Sequence, residues 1–225
     1  MTRAATLLHR DNPDEAPLSG NVKVTRQDWL NAAMDTFVES GIEQVKILSL
    51  AARMGVSRSS FYWYFKSRTE LLDALLDEWE AQNPRRMIAQ AQREAASICE
   101  AICNIHKCVV NPALFDITLD FAVRDWARRA QPVRLRLAAA DARVIASITE
   151  MFKCHAYPPD EALIRARVLY YMQLGYDAAE LNESWDERLA NVPHYLLAFT
   201  GRAPRPEIVA DFAAYTKAHI GGNRP

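Results

Sequence analysis

The stretch Leu50-Ala51-Ala52-Arg53-Met54-Gly55-Val56-Ser57-Arg58-Ser59-Ser60-Phe61-Tyr62-Trp63-Tyr64-Phe65 decides the fold. Leu50 and Ala51 stand where a short helix must face a core, and the small Ala51 lets a second helix approach closely. Gly55 supplies the turn between them, Val56 plugs the corner and Ser57 caps the helix that follows. Two helices of about two turns each are predicted, Ile47 to Met54 and Arg58 to Phe65, joined as a helix-turn-helix. Upstream, Thr25 is a good N-cap, and Trp29, Ala33 and Phe37 with Leu30, Met34 and Val38 make an apolar face at spacings of three and four. Gly41 after Ser40 ends that helix. Downstream, Ser67-Arg68-Thr69-Glu70 reads as a capping box opening a helix whose apolar face is Leu72, Leu75, Leu76 and Trp79.

The second helix of the pair is the unusual part. Its exposed positions carry short donors and acceptors (Ser59, Ser60), a long cation (Arg58) and rings with polar edges (Tyr62, Trp63, Tyr64), followed by Lys66 and Arg68. Such a face fits a DNA major groove about 12 Å wide. Arg58 suits bidentate pairing with a guanine edge, and the hydroxyls of Ser59, Ser60 and Tyr64 suit bases or phosphates. Lys66, the Tyr62 hydroxyl and the Trp63 indole N–H are better placed to hold the backbone. Phe61 and Phe65 belong to a small core, but a helix this short cannot bury Tyr62, Trp63 and Tyr64 on one side as well.

The whole chain is 225 residues, half of them hydrophobic and 24% charged, which excludes a disordered or collagen-like protein. Seven Gly against eleven Pro, with no long alternating β-branched runs, points to an all-α protein. The net charge of -1 neither demands nor forbids a polyanionic partner, so any nucleic-acid site must be local. From Asn21 to Arg68 there are seven cations against four anions, a local +3 in a nearly neutral chain. Four cysteines in a chain of this size, with no leader peptide and no span of roughly 18 apolar residues, lead us to expect a cytoplasmic protein with no membrane contact. Residues 1–21, with Pro13, Pro17 and Gly20, read as a flexible tail; its Arg3 and Arg10 have the chemistry to touch a phosphate, though a plain chain end is the simpler reading.

Between Thr25 and about Trp79, and most tellingly at Gly55–Arg68 followed by Glu70-Leu71-Leu72, the chain closely resembles the N-terminal domain of TetR/AcrR-type transcriptional regulators. The resemblance implies an all-helical homodimer. A three-helix DNA-binding head (22–68) would be joined by a linking helix of about 68–83 to a C-terminal effector and dimerisation domain (69–225). Residue by residue it puts base reading on Arg58, Ser59, Ser60, Tyr62 and Tyr64, and backbone contacts on Trp63 and Lys66, with Thr25 near the first helix start. One departure stands out. Where the family usually opens the second helix with Thr or Ser, this chain has Val45-Lys46-Ile47-Leu48, which leaves Lys46 to replace that contact by charge and Ser49 to cap a helix starting later.

Beyond Pro84 the chain turns to longer amphipathic segments, with expected helix starts at Asn111-Pro112, Gln131-Pro132, Pro158-Pro159-Asp160 and Pro204–Pro206. Cys99, Cys103 and His106 share one helical face, with Cys108 just beyond. That arrangement is open to metal or thiol sensing, yet reads more simply as a buried stripe with Ile98, Ile102, Ile105 and Val109, so no metal or cofactor is expected. Phe121, Trp126, Tyr170, Tyr171 and Tyr176, with His106 and His155, are candidates to line a cavity for a mostly apolar effector with one or two polar handles. Pro159–Glu180 and Pro204–Ile220 are candidates for the dimer contact. No phosphate loop, Gly-x-Ser-x-Gly elbow or His-Glu-x-x-His motif is present, and no catalytic residue is assigned. The expectation is a regulator that is not an enzyme, a repressor released from a palindromic operator by a small molecule. The rival is a helical ligand-binding or scaffold protein that no longer binds DNA specifically.

Overall fold

In the computed structural model, residues 24–179 and 181–220 are described; the expected tail at 1–21 lies outside them. The elements in chain order are α1 (Arg26–Ser40), a 3₁₀ turn (Ile42–Gln44), α2 (Ile47–Met54), α3 (Arg58–Phe61), α4 (Arg68–Gln82), α5 (Pro84–Ala91), α6 (Ile98–Val110), α7 (Ile117–Arg129), α8 (Gln131–Cys154), α9 (Pro159–Ala178), α10 (Trp185–Thr200) and α11 (Pro206–His219). No strand occurs among the described residues, and the fold is all-α.

The local rules at the start of the chain act as their chemistry dictates. Thr25 and Asp28 form a reciprocal capping box on α1, and Gly41, at φ 83°, ends the helix in a backbone region that penalises a Cβ. Gly55 sits in the left-handed region at φ 66° and turns α2 into α3. Ser67 Oγ accepts from Glu70 N at 3.2 Å, but the Glu70 carboxylate reaches one residue further back than a capping box requires and accepts from Lys66 N at 2.7 Å.

Three expectations are corrected here. The helix α2 starts at Ile47 with Lys46 at its N-cap position, so Ser49 lies inside the helix and caps nothing. Ser57 precedes α3, yet its side chain makes no cap; its Oγ pairs with Ser59 Oγ at 2.8 Å instead. Pro112 opens no helix, because Asp116 takes the N-cap role and α7 begins at Ile117.

Two apolar cores result. One gathers Trp29, Phe37, Leu50, Phe61, Phe65, Leu71, Leu75 and Trp79 from α1 to α4, and is completed by Leu119, Val123 and Ala127 of α7 and Val133 and Ala140 of α8. The head therefore shares its core with the first part of the body. Burying each of these large side chains contributes roughly 1.5–3 kcal/mol. The other core runs from Met87 through α6 to Val144, Ile148, Phe152, Leu169, Phe199 and Phe212. The helix α4 belongs to the first core and is also held to the body by polar contacts. Trp79 Nε1 donates to Asp120 Oδ1 at 2.9 Å, the buried Asn83 side chain exchanges hydrogen bonds with the Asp116 backbone at 2.8 and 3.0 Å, and Arg136 of α8 bridges Asp77 and Glu80.

Candidate nucleic-acid interface

The short α3 presents its side chains because two of them are driven inward. Phe61 and Phe65 are buried, stacked on each other at 5.5 Å, with Trp29 edge-on to Phe61 at 5.2 Å. Their intervening residues must then face solvent, and Trp63 is 85% and Tyr62 48% exposed. Only Arg58–Phe61 is α-helical; Tyr62 to Tyr64 continue as tighter turns rather than the expected second turn of helix. The cause is visible in the spacing. Phe61 and Phe65 both have to reach one small core before Ser67 opens α4.

The expected DNA-contacting residues are not equally available. Arg58 Nη2 donates to the Tyr62 hydroxyl at 3.1 Å and the guanidinium lies 5.8 Å from that ring's centre, so these two form one unit on the open face. Ser60 Oγ donates to Ser57 O at 2.9 Å. Tyr64 is only marginally exposed, and its hydroxyl donates to Val24 O, which brings it beside Thr25. Thr25 spends its own hydroxyl on Asp28. Lys46 and Lys66 are both exposed. Among the described residues Arg58, Lys46 and Lys66 have no carboxylate within 4 Å, whereas Arg53 is paired with Glu39 at 2.9 Å. Arg68 is consumed structurally, since its guanidinium donates to Val45 O at 2.6 Å and Ile42 O at 2.7 Å.

In the body, two adjacent cavities lie beside α6. The larger, about 110 Å³, is lined mainly by Cys103, His106, Val109, Met172, Tyr176, Trp185, Arg188, Tyr195, Phe199 and Phe212. The smaller, about 20 Å³, is lined by His106, Phe121, Tyr170 and Asp120 among others. His106, Phe121 and Tyr170 thus reach a cavity. Trp126 and Tyr171 do not: Trp126 packs edge-on against Phe37 at 5.6 Å, joining α7 to the head, and Tyr171 is 49% exposed on the outer side of α9. Both share helices with pocket residues, but the helical rotation of one or more positions turns them elsewhere.

The largest omission from the sequence reading is α10, which supplies seven residues of the larger cavity wall. Pro193 in its interior hid the helix. The signal that marks it is Ser184 with Glu187, a second capping box that forms reciprocally.

Burial sets the chemistry of the remaining candidates. Cys103 and Cys108 are pushed up to about 12 by burial, and Cys99 is also raised, so all three are protonated core thiols. Burial moves the His106 imidazole below its ordinary 6.5, only partly opposed by its contact from Nδ1 to Ile102 O at 3.0 Å. The unfolded chain then takes up a proton near 6.5 where the folded chain refuses one. The histidine costs no stability above that pH, and stability falls as pH drops below it towards the depressed folded value. The melting temperature of the wild type should therefore fall more steeply from about pH 7 to about pH 5 than that of His106→Gln. Parallel profiles would show that His106 is not the group responsible.

A buried polar chain links the smaller cavity to α4. Tyr170 donates to Asp141 Oδ1 at 2.7 Å, Arg124 donates to Asp141 at 3.0 and 3.1 Å and to Asp120 at 2.7 Å, and Asp120 accepts from Trp79. Burial raises the Tyr170 hydroxyl well above its ordinary range. For Arg124 burial opposes the charge, but the carboxylates around it prevail and hold its pKa above the usual guanidinium value.

Fold and site together define a helix-turn-helix protein with a hollow helical body. Residues 30–75 match the family described as bacterial regulatory proteins, tetR family. Over 58 residues the chain is 34% identical to an uncharacterized HTH-type transcriptional regulator, TtgW, of Pseudomonas putida, a match covering 26% of this chain and 43% of that one. Over 62 residues it is 34% identical to the class A tetracycline repressor from transposon 1721 of Escherichia coli, covering 28% and 29%. The chain spans less than half the length of these curated relatives. In fold it is similar to Mycobacterium smegmatis AmtR, with a TM-score of 0.56 at 17% identity over 91% of this chain and 98% of that one. The family match thus covers the head, and the likeness over the rest of the chain is one of fold. No helix among the described residues is long and apolar enough to cross a membrane.

Proposed function

We propose that the chain is a DNA-binding transcriptional regulator, a homodimeric repressor whose operator affinity is changed by a small molecule held in the body. The observation that carries this reading is the open face of α3 and its following turns. There, Arg58, Tyr62, Trp63 and Lys66 stand exposed over the buried Phe61 and Phe65. Among the described residues Arg58 and Lys66 have no carboxylate within 4 Å, and the Trp63 indole is 85% exposed; such a surface suits a groove edged with phosphates and bases. The head (22–68) reads DNA, and the body (69–225) holds effector and partner. Residues Arg58 and Tyr62 act as a base-reading unit with Ser59, while Lys46, Trp63 and Lys66 hold the backbone. Tyr64, Ser60 and Thr25 act chiefly by fixing the surface that the others use.

A second copy covers the exposed apolar face of α9, formed by Leu163, Ile164, Val168 and Tyr171 with Leu197 of α10. The helix α11, the second candidate for that contact, turns Ile208, Phe212 and Thr216 inward and keeps its other face outward. Two heads would then meet half-sites one helical turn or a multiple apart. A ligand that favours one head spacing shifts operator affinity by its differential affinity, with α4 as the lever and the Trp79–Asp120–Arg124 chain as its attachment.

Gel-shift titration against the region upstream of the chain's own gene tests this. Arg58→Ala should lose about 1–3 kcal/mol of specific affinity and leave weak, salt-sensitive binding. Equal and weak binding by wild type and variant, vanishing together in modest salt, would leave only non-specific charge attraction and defeat the proposal.

A further inference from the structure

We propose that the larger cavity takes a small aromatic or aliphatic monocarboxylic acid, its apolar part among the rings and its carboxylate on Arg188. The inference rests on reading this cavity as the chain's ligand site. Size limits the occupant first: at about 110 Å³ the cavity is smaller than the roughly 150 Å³ that admits benzene in an engineered protein core, so at most one ring fits without repacking. The walls come next. Phe199 stacks between His106 and Tyr195 at 6.1 Å each, and Phe212 is edge-on to His106 at 6.3 Å, leaving ring faces and edges as the main surface.

Arg188 then selects the polar handle. Its guanidinium lies 5.2 Å from the centre of Trp185 and 5.3 Å from that of Tyr176, Nη2 donates to Leu181 O at 3.2 Å, and Nε is buried with no hydrogen-bond partner. Among the described residues no carboxylate lies within 4 Å of it. The buried Nε, a cationic donor without an acceptor, carries a desolvation cost that a ligand carboxylate, accepting from the guanidinium edge, would remove. The other charged groups nearby are already engaged: Asp177 accepts from the Gln173 amide at 3.0 Å, and Glu183 accepts from the Tyr176 hydroxyl. His106, facing the same space, is biased towards its neutral form by burial. A cation with no carboxylate within 4 Å among the described residues is the feature that distinguishes an acid from an amine or an alcohol.

The test uses the full-length protein, with benzoate, phenylacetate and hexanoate as acids and benzyl alcohol and benzylamine as the neutral and cationic controls. Binding is followed by calorimetry and by tryptophan fluorescence, since Trp185 lines the cavity. At least one acid should bind about tenfold or more tightly than benzyl alcohol, with Arg188→Met removing that preference and leaving alcohol binding unchanged. Should Arg188→Met fail to fold, Arg188→Lys, which keeps the charge without the fork, should retain only part of the preference. Filling the cavity by Val192→Phe should abolish binding of every probe. If the alcohol or the amine binds as well as the acids, or if no acid binds at about 1 mM, the acid assignment is overturned. An acid that binds through Arg188 but leaves operator affinity unchanged would instead uphold the assignment and overturn the effector reading.

Discussion

Arg124→Met is expected to lower the unfolding free energy by about 3–5 kcal/mol, because it strips the single cation from two carboxylates in a largely water-free site. Asp120 and Asp141 approach the same guanidinium at 2.7 and 3.0 Å, and Asp120 is buried. With Arg124 gone, Asp120 keeps, among the described residues, only Trp79 as a side-chain donor and Asp141 only Tyr170. Urea unfolding measures the loss. Adding Asp120→Asn and Asp141→Asn to Arg124→Met should restore much of it, since neutral amides need no counter-charge and can still accept from Trp79 and Tyr170. If the single variant loses less than about 1 kcal/mol, water reaches the cluster and it is no tight link between the body and α4. The same variants should blunt any ligand effect on operator affinity while leaving direct binding to the larger cavity intact.

Phe61→Ala should cost a similar amount, about 3–5 kcal/mol, through the cavity it opens among Trp29, Phe65 and Tyr62. Its neighbour two positions on makes the contrast sharp. Trp63→Ala should change stability by no more than about 0.5 kcal/mol, because the indole touches little, yet it should weaken operator binding. Since the head core is completed by α7 and α8, the loss at Phe61 should appear in the main unfolding transition rather than as separate melting of the head. A Trp63→Ala variant as unstable as Phe61→Ala would mean that the exposed face is not free surface at all.

The head was legible residue by residue because its rules act over a few positions. A cap needs its partner three residues on, a left-handed turn needs Gly55, and aromatic residues at Phe61 and Phe65 can reach one core only if those between them face out. What stayed illegible in the head are contacts that cross the chain. The Tyr64 hydroxyl meets Val24 forty residues away, and Arg68 meets Ile42 and Val45, so groups that looked ready for DNA hold the head together.

In the body the balance reverses. Periodicity placed Cys99, Cys103 and His106 on one face of α6, but it could not say which helix covers that face. Trp126 met the head instead of the cavity, Tyr171 met solvent, and the wall that neither supplied came from α10, which an internal proline masked. Sequence by itself determined the all-helical class, the helix-turn-helix and the outward face of α3, each fixed by backbone sterics and spacing within one or two turns. Only the tertiary structure decided the hollow beside α6, the orphaned Nε of Arg188 and the polar chain from Tyr170 to Trp79, because each depends on residues brought together from distant helices by packing that no local period encodes.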